Sequence, residues 1–356
     1  MTEAPAAPRT VVSFRHVSIV FGDTPWKAIP LMETGQSRAE IQKATGQILG
    51  VHDCSLDVAE GEILVLMGLS GSGKSTLLRA VNGLNPIVQG EIIVTKGDWS
   101  VSVGATTAAE LRRLRRDAVA MVFQQFGLLP WRSVRENVGL GLELAGVPRK
   151  ERAARVATQL DLVGLSNWAD RKVGELSGGM QQRVGLARAF ATEAPILLMD
   201  EPFSALDPLI RTRLQDELLD LQQRLKRTII FVSHDLDEAF KLGDRIAIME
   251  GGRIIQCGTP TQIYTSPANP YVADFVAHMN PLGVLTARDA MVPAPRPAPA
   301  GLTLPADTPL RAAMQALPEA KGRILLTEGG QIVGMLTDAA AVAALVTPRG
   351  QQPEPA

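Results

Sequence analysis

Cysteine is almost absent from this chain. Its 356 residues include only Cys54 and Cys257, which are far apart and lack the short spacing of metal ligands. This scarcity argues against a disulfide framework and is typical of a reducing compartment. We therefore interpret both thiols as packing residues.

An excess of charge of either sign is also absent. The chain has 36 basic and 37 acidic residues, a formal net charge of -1. Proteins that grip a phosphodiester backbone carry surplus basic residues. The composition therefore disfavours nucleic acid as a partner.

Long hydrophobic runs are missing as well. No uninterrupted apolar stretch reaches the roughly 18 residues needed to span a bilayer. The Ala/Pro-rich start, Met1 to Thr10, has no basic segment followed by an apolar stretch, so we expect no secretory signal. Any membrane role must then come through a partner.

A glycine-rich loop follows the apolar run Ile63–Met67 and precedes a predicted helix. It reads Gly68-Leu69-Ser70-Gly71-Ser72-Gly73-Lys74-Ser75. Its glycines allow backbone N–H groups to converge on phosphates, while Lys74 reaches the β and γ phosphates and Ser75 offers a hydroxyl to Mg²⁺. A plain strand–helix turn is the alternative. The flanking strand and helix favour a nucleotide site.

Two carboxylates end another apolar run, Ile196–Met199. Asp200 could face Ser75 and orient Mg²⁺ through its water shell. Glu201 could project toward the γ-phosphate and polarise the attacking water. The alternative is an acidic pair that caps the next helix or lies in solvent.

Gln124 and His234 also follow apolar runs. Gln124 could sense both Mg²⁺ and the attacking water, and His234 could contact the γ-phosphate near Glu201. A lone histidine is more often structural, so the role of His234 depends on its neighbours. The apolar segment 126–134 after Gln124 is either a docking surface for another protein or buried core.

A second glycine-rich segment, Ser177, Gly178 and Gly179, resembles an anion-binding nest that opens a helix. Phe21 ends the first predicted strand and is the best candidate to stack on adenine. Core packing is equally consistent with Phe21, and Trp26 is a second candidate for stacking.

Apolar runs alternate with helical stretches along most of the chain. They lie at 118–123, 196–199, 228–232 and 246–249, and they predict an α/β fold with a mostly parallel sheet. Asp207 followed by Pro208 predicts the start of a helix. Residues 21–49 have helical spacing and look like an insertion. Six prolines between residues 293 and 309 predict a linker.

Together these segments resemble the ATP-binding subunit of an ABC transporter, a P-loop NTPase, over roughly Val11 to Phe275. The resemblance rests on the phosphate loop, Gln124, the run from Leu176 to Gln182, Asp200-Glu201 and His234. Within that family the chain is similar to importers of glycine betaine, proline and choline. The 21–49 insertion and the segment Pro267-Ala268-Asn269-Pro270-Tyr271 support this closer match.

The resemblance implies a set of site residues and cofactors. ATP and Mg²⁺ are the expected cofactors, with Ser75, Gln124 and Asp200 at the metal and Lys74, Gln124, Glu201 and His234 in catalysis. The residues expected at the nucleotide are Phe21, Gly68, Ser70, Gly71, Ser72, Gly73, Lys74, Ser75, Thr76, Ser177, Gly178, Gly179, Gln181 and Asp207. Of these, Ser177 and Gly179 would contact ATP held by the other copy of a homodimer, and Asp207 would help join the halves.

The resemblance also implies an organisation and partners. The expected regions are an ATPase domain at 1–280 with a helical subdomain at about 130–182, a linker at 281–309, and a small α+β remnant of a CBS module at 310–356. Expected partners are two permease subunits and, indirectly, a periplasmic or lipid-anchored solute-binding protein. The expected location is the cytoplasmic face of the plasma membrane.

Three other functions remain open at this point. The first is the ATPase of an importer for another small solute. The second is a soluble ATP-switched nucleic-acid or ribosome factor, which usually carries a tandem cassette, a coiled coil or basic extensions that are not visible here. The third is a regulator that binds ATP without turnover, which the filled catalytic positions disfavour.

Overall fold

The computed structural model describes residues 9–277, 279–295 and 299–346. The strands are β1 (Thr10–Phe21), β2 (Ile48–Ala59), β3 (Ile63–Met67), β4 (Gln89–Lys96), β5 (Trp99–Ser102), β6 (Val119–Val122), β7 (Ile196–Asp200), β8 (Thr228–Val232), β9 (Arg245–Glu250), β10 (Arg253–Gly258), β11 (Thr303–Pro305), β12 (Arg323–Glu328) and β13 (Gln331–Thr337). The helices are α1 (Ile29–Glu33), α2 (Arg38–Thr45), α3 (Lys74–Val81), α4 (Ala108–Arg113), α5 (Val134–Val138), α6 (Leu140–Leu144), α7 (Arg149–Leu162), α8 (Gly178–Ala191), α9 (Pro208–Leu225), α10 (Leu236–Leu242), α11 (Pro260–Thr265), α12 (Pro270–Val276), α13 (Leu310–Ala316) and α14 (Asp338–Val346). Within those ranges, no helix has both the length and the apolar character required to span a membrane.

The chain divides into two compact units. The larger unit comprises Met1–His234 and Met249–Ile254, and the smaller unit comprises Asp235–Ile248 and Ile255–Ala356. The boundary passes through β9 and β10. Every predicted site residue belongs to the larger unit.

A parallel sheet forms the centre of the larger unit, with neighbouring strands in the order β3-β8-β7-β6. Every residue of β3, β7 and β8 is buried, which explains why these strands are continuous apolar runs. In the register, Val232 lies opposite both Leu66 and Asp200. The carboxyl ends of these strands therefore meet at one edge of the sheet, and the α/β prediction is confirmed.

A second, antiparallel sheet in the larger unit has the order β2-β1-β4-β5. We predicted the strand β1 but not this sheet. At its end, Phe21 pairs with Ile48 of β2. The insertion between these two residues therefore begins and ends at neighbouring positions at this end of the sheet.

The insertion between β1 and β2 is an ordered helical layer. Ser37 caps α2, and Glu40 reaches back to the Ser37 backbone in a capping box. Ile41 is fully buried in a small apolar cluster with Val20, Ala28, Met32 and Leu49. The helical spacing of this segment is thus confirmed, except that Ile48 belongs to a strand.

Helices α5, α6 and α7 contact α8. The loop before α5 is held by the fully buried Asn137, whose Oδ1 accepts from the Leu129 N–H at 2.7 Å and whose Nδ2 donates to the Ser133 carbonyl at 2.9 Å. Trp131 in this loop is 68% exposed. The docking-surface interpretation of residues 126–134 is favoured at Trp131, because that side chain is not part of the core.

The expected linker at 281–309 requires a correction. Within it, β11 pairs in parallel with β12, which in turn pairs with β13 in an antiparallel arrangement. The Ala287 N–H donates to the Thr308 carbonyl and the Arg288 N–H to the Ala306 carbonyl, each at 2.8 Å, so backbone hydrogen bonds join the two ends of this stretch within the smaller unit. The CBS-like character of the remnant stays a prediction, and residues 347–356 lie outside the described part.

Candidate functional site

A cleft of about 680 Å³ lies at the carboxyl edge of the parallel sheet. The predicted residues that line it are Phe21, Ser70, Gly71, Gly73, Lys74, Ser75, Thr76, Gln124, Glu201 and His234. Five lining residues were not predicted, namely Arg38, Gln42, Ile48, Leu49 and Gly50. Strand register explains the grouping, since Gly68, Glu201 and Ser233-His234 follow strands that end side by side.

The glycine-rich loop has a conformation that two of its glycines make possible. Gly68 has φ +140°, and a Cβ there would lie 2.1 Å from the Met249 carbonyl oxygen. Gly73 has φ +100°, and a Cβ there would lie 2.6 Å from the Gly50 carbonyl oxygen. Any larger residue at either position would force the loop apart.

Lys74 is buried within this loop. Its ammonium donates to the carbonyl oxygens of Gly68 at 2.8 Å and Leu69 at 3.0 Å. Burial lowers the pKa of Lys74, and the nearby carboxylates of Glu201 and Asp200 oppose that shift. The loop thus presents a cation together with the first N–H groups of α3, the arrangement that binds phosphate.

Asp200 is a fully buried carboxylate that joins the loop to the sheet. Its Oδ1 accepts from the Ser75 hydroxyl at 2.6 Å, and its Oδ2 accepts from Arg79 Nε at 3.0 Å and Nη2 at 2.7 Å. We did not predict Arg79. Its position four residues after Ser75 on α3, hence on the same helix face, was the available signal.

The predicted Mg²⁺ residues form an oxygen-rich set. The described residues contain no group of three or more His, Cys, Asp or Glu side chains that could hold a metal ion. Mg²⁺ does not need one, because it keeps several waters and binds through one or two protein oxygens plus substrate phosphates. The Ser75 hydroxyl and Asp200 carboxylate fit that requirement. Gln124 lines the same cleft as Ser75 and donates its amide nitrogen to Glu201, so its amide oxygen is the atom that it would offer to the ion.

Glu201 has a strained backbone with φ +46°, unusual for a residue other than glycine. Its carboxylate Oε2 accepts from Gln124 Nε2 at 2.9 Å and lies 3.6 Å from His234 Nδ1. The structure therefore brings Glu201, Gln124 and His234 together at the cleft, as predicted. His234 has the functional neighbours that its interpretation required.

Gln182 holds the Glu201 backbone in place, and we did not predict this role. Its side chain is fully buried, with Nε2 donating to the Glu201 carbonyl at 3.2 Å and Oε1 accepting from the Ala205 N–H at 3.1 Å. The Ser204 hydroxyl donates to the same Glu201 carbonyl at 3.0 Å. Gln182 lies in α8, the helix that the second glycine-rich segment opens, so this helix is tied to the backbone of Glu201.

The second glycine-rich segment does not line the cleft of its own chain. Ser177 and Gly178 are exposed at the start of α8, where Ser177 accepts from the Met180 N–H. Gln181 donates to the Leu176 carbonyl at 3.1 Å. Asp207 is an exposed cap of α9, next to Leu209, which is 81% exposed. None of these predicted nucleotide residues is among the residues that line the cleft around Lys74.

Phe21 and Trp26 differ in their relation to the cleft. Phe21 lines it, and a Cβ on Gly50 would lie 2.8 Å from the Phe21 ring. Trp26 is 61% exposed and is not among the lining residues. The geometry favours Phe21 as the adenine platform.

The fold and the site define a P-loop nucleotide hydrolase. A sequence profile of the family described as ABC transporter matches residues 51–204. Together with the relatives described next, this match shows that the chain belongs to the ATP-binding subunits of ABC transporters, whose ATP hydrolysis is coupled to transport.

Two relatives illustrate the likeness at the level of sequence. The chain is 49% identical over 278 residues to the glycine betaine/proline betaine transport system ATP-binding protein ProV of Escherichia coli (strain K12), a match that covers 78% of this chain and 68% of that protein. It is 44% identical over 330 residues to the trimethylamine N-oxide transport system ATP-binding protein TmoW of Ruegeria pomeroyi, a match that covers 92% and 94%.

A solved structure shows the likeness at the level of the fold. It is described as a dimeric post-hydrolysis state of an ATP-binding cassette bound to ADP and Pi. Its TM-score is 0.61 at 30% identity, and the match covers 70% of this chain and 98% of the cassette.

Replacing Gln182 tests the support of Glu201. Gln182→Ala removes both hydrogen bonds to the Glu201–Ala205 turn, so we expect kcat for ATP hydrolysis to fall about tenfold, about 1.4 kcal/mol, with little change in KM. Steady-state phosphate release measures this. Gln223→Ala, on the exposed side of α9, is the matched control. An unchanged kcat in Gln182→Ala would show that the turn keeps its geometry without this side chain.

Proposed function

We propose that ATP binds in the cleft with its adenine against Phe21 and its phosphates along the loop from Gly68 to Thr76. The observation that carries this proposal is the position of the Glu201 carboxylate, which lines the same cleft as the phosphate loop, accepts a hydrogen bond from Gln124 and lies 3.6 Å from His234 Nδ1. A carboxylate fixed there is suited to orient a water molecule toward the terminal phosphate.

In the proposed reaction, Glu201 polarises a water molecule that attacks the γ-phosphorus. The bond between that phosphorus and the β–γ bridging oxygen breaks, and ADP and inorganic phosphate are released. Lys74 and the N–H groups at the start of α3 stabilise the phosphate oxygens. Ser75, Asp200 and Gln124 would hold Mg²⁺, which when bound would neutralise negative charge on the terminal phosphates. His234 contacts the γ-phosphate.

Glu201→Gln is the direct test of this role. Glutamine is close in size to glutamate and can still contact Gln124, but it cannot polarise water as a carboxylate does. We expect hydrolysis to fall by about 100-fold or more while ATP binding persists, and ATP-bound dimers to accumulate on size exclusion with light scattering. Glu193→Gln is the matched control, because Glu193 is an exposed glutamate that also has a positive φ, +54°. Unchanged turnover in Glu201→Gln would refute the assignment.

We further propose that each working site is shared by two copies of the chain. Ser177, Gly178, Gly179 and Gln181 of one copy would meet the γ-phosphate of ATP held by the other, and Asp207 would help join the halves. The exposure of Ser177 and Gly178, neither of which lines the cleft of its own chain, supports this arrangement. The related cassette that is described as a dimer bound to ADP and Pi gives independent support.

The transport partners follow from the same proposal. ATP closes the dimer, hydrolysis reopens it, and the segment from Gln124 to Val134 carries that motion to the cytoplasmic parts of two permease subunits. Trp131, an exposed aromatic residue in this segment, suits such a contact. The chain would then work peripherally at the cytoplasmic face of the plasma membrane, with a separate binding protein delivering the solute.

The proposed solute is a small quaternary amine or related amine oxide. The two relatives are named for glycine betaine and proline betaine transport and for trimethylamine N-oxide transport. These solutes share a fully substituted nitrogen that bears a formal positive charge, as choline also does. The net charge of -1 gives no support to the nucleic-acid alternative.

Uptake by the reconstituted transporter tests the solute. The chain is placed with its permease and binding protein in proteoliposomes containing ATP, and labelled glycine betaine, choline, proline and trimethylamine N-oxide are compared. We expect ATP-dependent uptake of at least one of these solutes and none with Glu201→Gln. If a different small solute alone is taken up, the alternative importer function replaces this one.

A further inference from the structure

Arg38 lies against the phosphate loop although it belongs to the insertion. It is the first residue of α2, and its Nη1 donates to the Gly71 carbonyl at 2.7 Å while its Nη2 donates to the Gly50 carbonyl. With Gln42, one helical turn later, it lines the cleft. Gly252 leaves room for it, since a Cβ there would lie 2.6 Å from Arg38 Nη2.

The positive charge of Arg38 has no anionic partner in the described chain. Neither an ion pair nor a hydrogen bond joins Arg38 to any described carboxylate, and its two hydrogen-bond acceptors are neutral carbonyls. Burial lowers the pKa of this guanidinium, and its Nε is buried without a hydrogen-bond partner. A partly buried cation of this kind is best satisfied by an anion.

The position of Arg38 in the cleft indicates which part of a nucleotide it would meet. It bonds to Gly50, the residue that also adjoins the ring of Phe21 and the side chain of Thr76. Glu201, by contrast, lies with Gln124 and His234 at the predicted γ-phosphate position. Arg38 is therefore near the nucleoside end, and each of its Nη atoms keeps one further N–H to donate.

We propose that Arg38 is a nucleotide-binding residue that donates to the phosphate nearest the nucleoside of bound ATP or ADP. The inference rests on the proposed ATP site and adds a nucleotide-binding residue from outside the family-wide profile match, which begins at residue 51, after the insertion. The Ser37–Glu40 capping box and the buried Ile41 hold α2 so that Arg38 reaches the loop. The insertion thereby forms part of the nucleotide site.

Nucleotide affinity of Arg38→Gln tests the proposal. Since ATP and ADP share the phosphate nearest the nucleoside, Arg38→Gln should weaken both by about tenfold, the size of a charge-assisted hydrogen bond. Calorimetric titration with Mg²⁺ measures this, with hydrolysis blocked by Glu201→Gln for ATP. The nucleotide affinity of Arg38→Gln should also depend less on salt concentration, because this variant lacks one charge contact that salt would screen. Arg38→Lys, which keeps the charge, should lose about threefold and retain the salt dependence.

Three comparisons make the outcome decisive. Arg15→Gln, at an exposed arginine of β1 paired with Glu91, should leave affinity unchanged. Affinities of Arg38→Gln within about twofold of wild type, or a wild-type salt dependence in that variant, would overturn the proposal.

Lys74→Ala separates this inference from the proposed ATP site, because it should abolish nucleotide binding. If Lys74→Ala abolishes binding while Arg38→Gln has no effect, the inference about Arg38 fails and the ATP site stands. If Arg38→Gln does not fold by circular dichroism, Arg38→Met, which keeps an apolar stem, takes its place.

Discussion

The nucleotide site depends on one buried carboxylate, that of Asp200. Ser75 and Arg79 bond to its two oxygens from successive turns of α3, and this ties the helix after the phosphate loop to the end of β7. A buried charge that lost such partners would cost several kcal/mol, so the loop and the strand are held in one relative position. Glu201 follows Asp200 directly, and its place at the cleft is a consequence of this attachment.

The grouping of the residues proposed for catalysis was predictable because their signals are local in sequence. Each follows an apolar run, and parallel strands of similar length bring their ends together, which is why Gln124, Glu201 and His234 could be grouped without coordinates. The contacts of Arg79, Gln182 and Arg38 join residues that are distant in sequence. Only the spacing of Arg79 from Ser75 offered any hint of them. The prediction of a linker failed at β11 because the strand character of β11 also depends on a contact that is distant in sequence, its pairing with β12.

The two glycine-rich segments have different roles within one chain. The first surrounds a buried lysine and opens into the cleft, whereas the second caps α8 and faces solvent. Gln182 lies further along α8, the helix that the second segment opens, and holds the backbone of Glu201 at the cleft. Ser177 is therefore only five residues, about one and a half helical turns, from the side chain that holds the residue proposed to polarise water. The start of α8 thus connects the surface proposed to dock a second copy with the side chain that positions Glu201.

The shared site is the central claim, and Ser177→Arg tests it most directly. An arginine there would block the approach of a second copy without entering the cleft of its own chain. The account predicts that dilute, monomeric Ser177→Arg binds fluorescent ATP with wild-type affinity, while hydrolysis at high protein concentration falls about 100-fold. Near-normal hydrolysis by this variant would contradict the account, and so would loss of ATP binding by the monomer.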